Sequence, residues 1–182
     1  ICDIYDEDGQ PAGGDCRGVL RRVCAEARKL GYCFQLKPEC EFFLFQVDDQ
    51  GLPTTITHEK ASYFDVAPND FAENVRRDIV LNLEEMGFEI EASHHEIAAS
   101  QHEIDFAPSD ALTAADNLMT FKMTTKSIAK RHGLHATFMP KPKGNEYGSG
   151  MHLFMSLSDS EGRDVFCDSG DERGLSQTAY SF

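Results

Sequence analysis

The sequence predicts an α+β domain with a mainly antiparallel sheet and helices packed on one side. Three observations support this. Strand-like stretches follow one another as hairpin pairs without crossover helices between them. Three longer stretches repeat their apolar residues at helical spacing and close on glycines. The 182 residues also show no internal repeat and no second composition regime, as expected of a single domain able to bury about 70% of its unfolded surface.

The elements follow in order. Asp15 caps a helix running to about Leu30, with Val19, Leu20, Val23, Cys24, Ala27 and Leu30 as its apolar stripe and Gly31 beyond its end. A strand runs from Glu39 to Gln46, followed by a turn-rich segment at Asp48–Pro53. Asn69 or Asp70 caps a second helix ending at Met86 and closed by Gly87. Gly87 to Phe106 reads as two short strands joined near Ala98-Ala-Ser100. Ser109 or Asp110 caps a longer helix that reaches His132 and stops at Gly133. Leu134–Phe138 reads as a strand, Pro140–Gly150 as a loop, and Met151–Leu157 as a period-two strand. The polar residues after Ser158 are expected to be poorly ordered.

Composition narrows the function classes. Thirteen Phe and 41% hydrophobic residues fit a folded core rather than disorder. A net charge of −14 argues against nucleic-acid and anionic-membrane partners, although acidity also simply confers solubility. No apolar run approaches the ~20 residues of a membrane span, and no signal peptide opens the chain. The six cysteines form no C-x-x-C pair, and Cys24 and Cys40 read as small buried hydrophobes. Free thiols in a cytoplasmic protein are the expectation.

The chemistry concentrates in three places. Gly87–Phe106 holds five carboxylates and three histidines in twenty residues, and its alternation suggests that charged side chains gather on one face. Glu39 and Glu41 share one face of their strand while Cys40, Phe42 and Leu44 face the core. Carboxylates aimed at one cavity repel each other unless cations lie between them; two solvated strand faces are the other reading. The third place is the loop Gly148-Ser-Gly150, where backbone can approach a ligand closely or simply turn, followed by His152. Imidazole nitrogen with several carboxylate oxygens suits magnesium or manganese.

Five motifs occur in one order: Pro38-Glu-Cys-Glu-Phe-Phe-Leu-Phe45, Gly87-Phe-Glu-Ile-Glu-Ala-Ser-His-His-Glu96, Gln101-His-Glu-Ile-Asp-Phe106, His132-Gly-Leu-His-Ala-Thr-Phe-Met-Pro-Lys-Pro142 and Gly148-Ser-Gly-Met-His152. Together they resemble the catalytic domain of type I bacterial glutamine synthetase over roughly residues 1 to 158. The resemblance implies an ATP-dependent ligase joining glutamate and ammonia through a γ-glutamyl phosphate, with two divalent cations, magnesium or manganese, in each site. It places metal ligands at Glu39, Glu41, Glu96, Glu103 and His152, ATP contacts at Glu91, Phe154 and Ser156, and glutamate contacts at Tyr147 and Gly148. It also implies a cytoplasmic homo-oligomer, a dodecamer for the full-length protein.

The departures are specific. Tyr147 stands where the family usually has Asn, Phe154 where a second His is common, and Ala99-Ser100 where Pro-Gly is usual. The loop Lys143-Gly-Asn-Glu-Tyr is more polar than the usual one. Residues 1–182 read as the central part of the catalytic domain, without the N-terminal β-grasp domain and the C-terminal part with its arginines, so the chain alone is expected to be inactive. Two alternatives stay open: a γ-glutamyl ligase acting on another amine, and a non-catalytic glutamine synthetase-like protein.

Overall fold

The computed structural model describes residues 1–182, which form two compact units. The first comprises Ile1–Lys37, Pro108–Asp116 and Phe154–Phe182; the second comprises Pro38–Ala107 and Asn117–Leu153. The elements in chain order are α1 (Cys16–Lys29), β1 (Tyr32–Val47), β2 (Pro53–Thr57), α2 (Glu73–Glu85), β3 (Ile90–His95), β4 (Gln101–Phe106), β5 (Ser109–Asp110), α3 (Ala111–Arg131), β6 (Leu134–Thr137), β7 (Met151–Asp159) and α4 (Gln177–Ser181). No helix is long and apolar enough to cross a membrane.

In the second unit, β1 pairs antiparallel with β2, β4 and β6, and β4 pairs antiparallel with β3. Strand alternation divides this sheet into two chemically different faces. Cys40, Phe42 and Leu44 of β1 and Ile104 and Phe106 of β4 meet Val75, Ile79 and Leu83 of α2 and Phe121, Ile128 and Ala129 of α3 in one buried cluster. The ring of Phe121 sits 6.0 Å from Phe42, 5.9 Å from Phe106 and 5.7 Å from Phe138, so tilted and edge contacts add to the area term. Burial pushes the Cys40 thiol up to about 12, which makes it a hydrophobe at neutral pH, as expected. Both helices of this unit lie against that face, which leaves Glu39, Glu41, Glu103 and Asp105 on the other. Further along β1 the same outer face becomes aromatic, where Phe43 stacks on Phe45 at 5.3 Å beside Ala98.

In the first unit, Asp15 caps α1 by accepting from the N–H of Arg17 and Gly18. The expected apolar stripe of α1 is corrected: Val19, Val23 and Leu30 are exposed, and only Leu20, Cys24 and Ala27 are half-buried. Cys24 is therefore not a core residue in this structure. Asp110 caps α3 through the N–H groups of Leu112 and Thr113. The tail is also corrected, since it carries defined structure. Ser158 bridges Asp164, Cys167 bridges Leu175, and Ser176 caps α4 by accepting from Ala179 N–H. Its many aspartates make local turns; Asp159, Asp168 and Asp171 each accept from backbone N–H groups just downstream.

The bounds of β1 and α2 differ from the expectation, and one strand is additional. The strand over Glu39–Gln46 is longer at both ends, and β2 was unpredicted because an exposed edge strand opening on Pro53 shows no apolar alternation. Helix α2 starts at Glu73, after an Ala72 that makes no side-chain cap. Asp70, expected as a cap, is buried and occupied otherwise, accepting from Ala72 N–H at 2.9 Å and pairing with the buried guanidinium of Arg76.

Candidate functional site

Register places the candidate donors side by side. Glu41 of β1 pairs with Glu103 of β4, which pairs with His94 of β3, so three donors form one row across three strands. Glu96 follows at the start of the β3–β4 turn. His94 Nδ1 lies 3.3 Å from Glu96 Oε1, and His94 Nε2 lies 3.4 Å from Glu103 Oε2. One donor atom from each of the three comes within 4.8 Å of the other two, the spacing of ligands around a single ion. Glu39 pairs in register with Asp105, one row along, and its Oε2 is 3.8 Å from His152 Nδ1.

The crowding has an electrostatic cost. Burial, the charge of Asp105, a hydrogen bond with Glu96 and the charge of Glu41 together push Glu103 up to about 9. At neutral pH its carboxyl keeps a proton, which is what carboxylates packed together do when no cation neutralises them.

The glycine loop closes on the same carboxylates. Glu41 N–H donates to the Gly150 carbonyl at 3.1 Å. A Cβ on Gly150 would fall 2.7 Å from Glu41 Oε1, and one on Gly148 would collide with the Pro140 carbonyl. Both glycines are thus set by close approach rather than by turn geometry. Replacing Gly150 with alanine is expected to push the Glu41 carboxylate aside and weaken manganese binding with little change in melting temperature. Calorimetric titration alongside a thermal melt checks this, and unchanged affinity would show that Glu41 has room to move.

Only part of the histidine-rich stretch faces the site. His94 does, with Glu96 and Glu103, but His95 and His102 point to the helix-covered face, because neighbours in a strand alternate. His95 Nε2 meets Glu59 Oε1 at 2.9 Å, and its Nδ1 meets the Glu96 carbonyl at 2.6 Å. Burial alone would lower the pKa of His95, but Glu59 holds it raised. Burial, then the nearby Arg76, drives His102 well below the usual imidazole range, so it is neutral. The expectation of charges gathered on one face is thereby corrected, and Glu59 proves to be the buried partner of His95.

Sequence reasoning missed His94 as a donor, although its period-two relation to Glu96 was the signal available. The other expected contacts lie as follows. Glu91 is exposed at the β3 bulge, where Ile90 pairs with Phe106 and Ala92 with Asp105. Tyr147 is 62% exposed and, with Lys141, Gly144, Asn145, Glu146 and Gly148, lines an open hollow of about 440 Å³. Phe154 and Ser156 belong to the first unit; both are exposed, with the Lys37 ammonium 5.6 Å from the Phe154 ring centre.

Fold and site together define a class: an antiparallel sheet with helices on one face and a carboxylate–imidazole donor set on the other. The catalytic-domain model of glutamine synthetase matches residues 13–182, and the chain belongs to that family. It is 60% identical to the glutamine synthetase of Clostridium saccharobutylicum over 182 residues, covering all of this chain and 41% of that protein. It is 53% identical to that of Halobacterium salinarum, covering all of this chain and 40% of that protein. Among solved structures, GmaS in complex with ADP matches with a TM-score of 0.87 at 33% identity, covering 98% of this chain and 41% of that one. Plasmodium falciparum glutamine synthetase matches at 0.86 and 26%, covering 98% of this chain and 41% of that one. The chain thus spans about two-fifths of the length of these relatives.

Proposed function

We propose that residues 1–182 form the central part of the catalytic domain of a cytoplasmic, oligomeric glutamine synthetase, which joins glutamate and ammonia at the expense of ATP through a γ-glutamyl phosphate. The observation that carries this reading is the row Glu41, Glu103 and His94 with Glu96 beside it, where burial and the neighbouring carboxylates, Asp105 first among them, raise Glu103 to about 9. Hard oxygen donors with one imidazole fit magnesium or manganese, and the protonated Glu103 has the chemistry of a ligand waiting for its cation.

In this reading Glu41, Glu96 and Glu103, with His94 beside them, hold one cation, while Glu39 and His152 contribute to a second. Such cations neutralise charge on phosphoryl oxygens during transfer. The chain's own residues then do the positioning. The backbone at Gly148 meets the glutamate and Tyr147 borders its side of the site. Glu91, Phe154 and Ser156 serve the nucleotide.

The decisive experiment is an assay of the full-length protein for glutamine and phosphate release from ATP, glutamate and ammonia, with magnesium or manganese. Glutamine formation that needs the cation supports the reading; a metal-replete protein making none, with any amine, would overturn it. Tyr147 favours a second reading, because a phenol cannot supply the paired donor and acceptor of an amide. Under the first reading, Tyr147→Asn should lower the KM for glutamate by the worth of one hydrogen bond to a charged group, ~1.5–3 kcal/mol. Should KM stay unchanged while another amine outcompetes ammonia, a γ-glutamyl ligase of that amine is the better description.

A further inference from the structure

Gln101, at the start of β4, is 1% exposed and makes all its contacts inside the second unit. Its Nε2 donates to Glu41 Oε2 and, at 2.9 Å, to the Gly148 carbonyl. Its Oε1 accepts from Ala98 N–H at 3.1 Å, inside the turn that begins with Glu96. Its own N–H donates back to the Ala98 carbonyl at 3.0 Å, and Glu96 N–H donates to its carbonyl at 2.7 Å.

This arrangement fixes the orientation of the amide. If it were turned over, its oxygen would face the Glu41 carboxylate and the Gly148 carbonyl, while its NH₂ would face the Ala98 N–H. All three contacts would then be repulsive around a side chain that is itself buried. The two Nε2 protons are both spent, one on a charged acceptor and one on a neutral one, so neither acceptor can drift without loosening its bond. Glu41 is bounded on both sides, by the Gln101 amide at Oε2 and at Oε1 by Gly150, where a Cβ would fall 2.7 Å away.

We propose that Gln101 is a positioning residue that ties the carboxylate side of the site to the glycine-loop side: one amide nitrogen holds Glu41 and Gly148 together, and the amide oxygen anchors the turn carrying Glu96. The role rests on the function proposed above, since it couples a cation ligand to the backbone that meets glutamate. It predicts that metal affinity and glutamate affinity depend on the same side chain, although Gln101 touches neither ligand.

The test uses two variants of the full-length enzyme. Gln101→Met keeps the length of the side chain and removes its donors and acceptor. Gln101→Glu keeps the shape and sets a third acceptor against Glu41 and Gly148. Circular dichroism and oligomeric state are recorded first, then manganese affinity by titration without substrates, then KM and kcat. In both variants the manganese dissociation constant is expected to rise by roughly 10–100-fold, as for other groups that orient metal ligands. The KM for glutamate should rise by about tenfold, the worth of one hydrogen bond. Folded variants with wild-type values for both, a change in only one, or a fall in kcat alone would overturn the coupling. Failure of both variants to fold would overturn it in favour of a structural role. A wild-type enzyme that neither binds manganese nor makes glutamine would instead bring down the function proposed above, and this inference with it.

Discussion

Replacing Glu96 and Glu103 together with alanine is expected to weaken manganese binding by more than about 100-fold, since even an outer hydrogen-bond partner of a metal ligand is worth roughly 10–100-fold. The two carboxyl groups face His94 at 3.3 and 3.4 Å, and removing both takes away every oxygen donor beside that imidazole in this cluster. The pH dependence follows from Glu103, whose value of about 9 lies above that of an ordinary glutamate. A cation must displace its proton at any pH below that value, so affinity should climb as pH rises through neutrality towards 9. Glu103→Gln should bind weakly and lose that alkaline part of the dependence. The same shift affects stability. The metal-free fold binds more protons than the unfolded chain between the ordinary glutamate value and about 9, so this group's contribution to stability falls as pH rises across that window. Manganese should therefore raise the melting temperature more at pH 8 than at pH 6. Equal binding by wild type and the double variant, or affinity that falls with rising pH, would rule out these residues as the cation site.

Asp70→Ala is expected to cost about 3–5 kcal/mol of stability, a large share of the total for a domain of this size. Asp70 and Arg76 are 2% and 5% exposed, and they pair directly. Removing the carboxylate leaves a guanidinium buried beside the neutral His102, whose Nδ1 lies 3.1 Å from Arg76 Nη1. It also removes the acceptor of Ala72 N–H at the start of α2. The double variant Asp70→Ala, Arg76→Met should recover much of the loss, because no unpaired charge remains. Urea unfolding of the single and double variants decides this. A double variant no more stable than Asp70→Ala would show that the cost lies in the lost acceptor of Ala72 N–H and not in the stranded charge.

Local pattern carried the elements a long way. Asp15 and Asp110 cap the helices assigned to them, and Gly87 and Gly133 lie just beyond α2 and α3 at positive φ, where a left-handed residue closes a helix. Period two was enough to put Cys40, Phe42 and Leu44 in the core and to set Glu39 and Glu41 on the other face. The same rule, applied to His94 and His95, would have separated a site imidazole from a buried one. The stripe of α1 misled for a different reason: apolar periodicity says which face can be buried, and Val19 and Val23 show that it does not say how much of that face is covered.

The sequence by itself determined the fold class, the order of the main strands and helices, and the residue types of a carboxylate-rich site. These depend on neighbours along the chain, through caps, glycine stops and strand alternation. Tertiary structure alone decided which charges meet. Register set Glu41 opposite Glu103 and Glu103 opposite His94, and a pairing one residue away would have turned each of these side chains to the wrong face. Residues far apart in sequence came together in the same way, as Glu59 did with His95 and Gln101 with both Glu41 and Gly148. The raised value of Glu103 belongs to this second category, because burial and like charges shift a carboxyl only once the folded chain has brought them within reach.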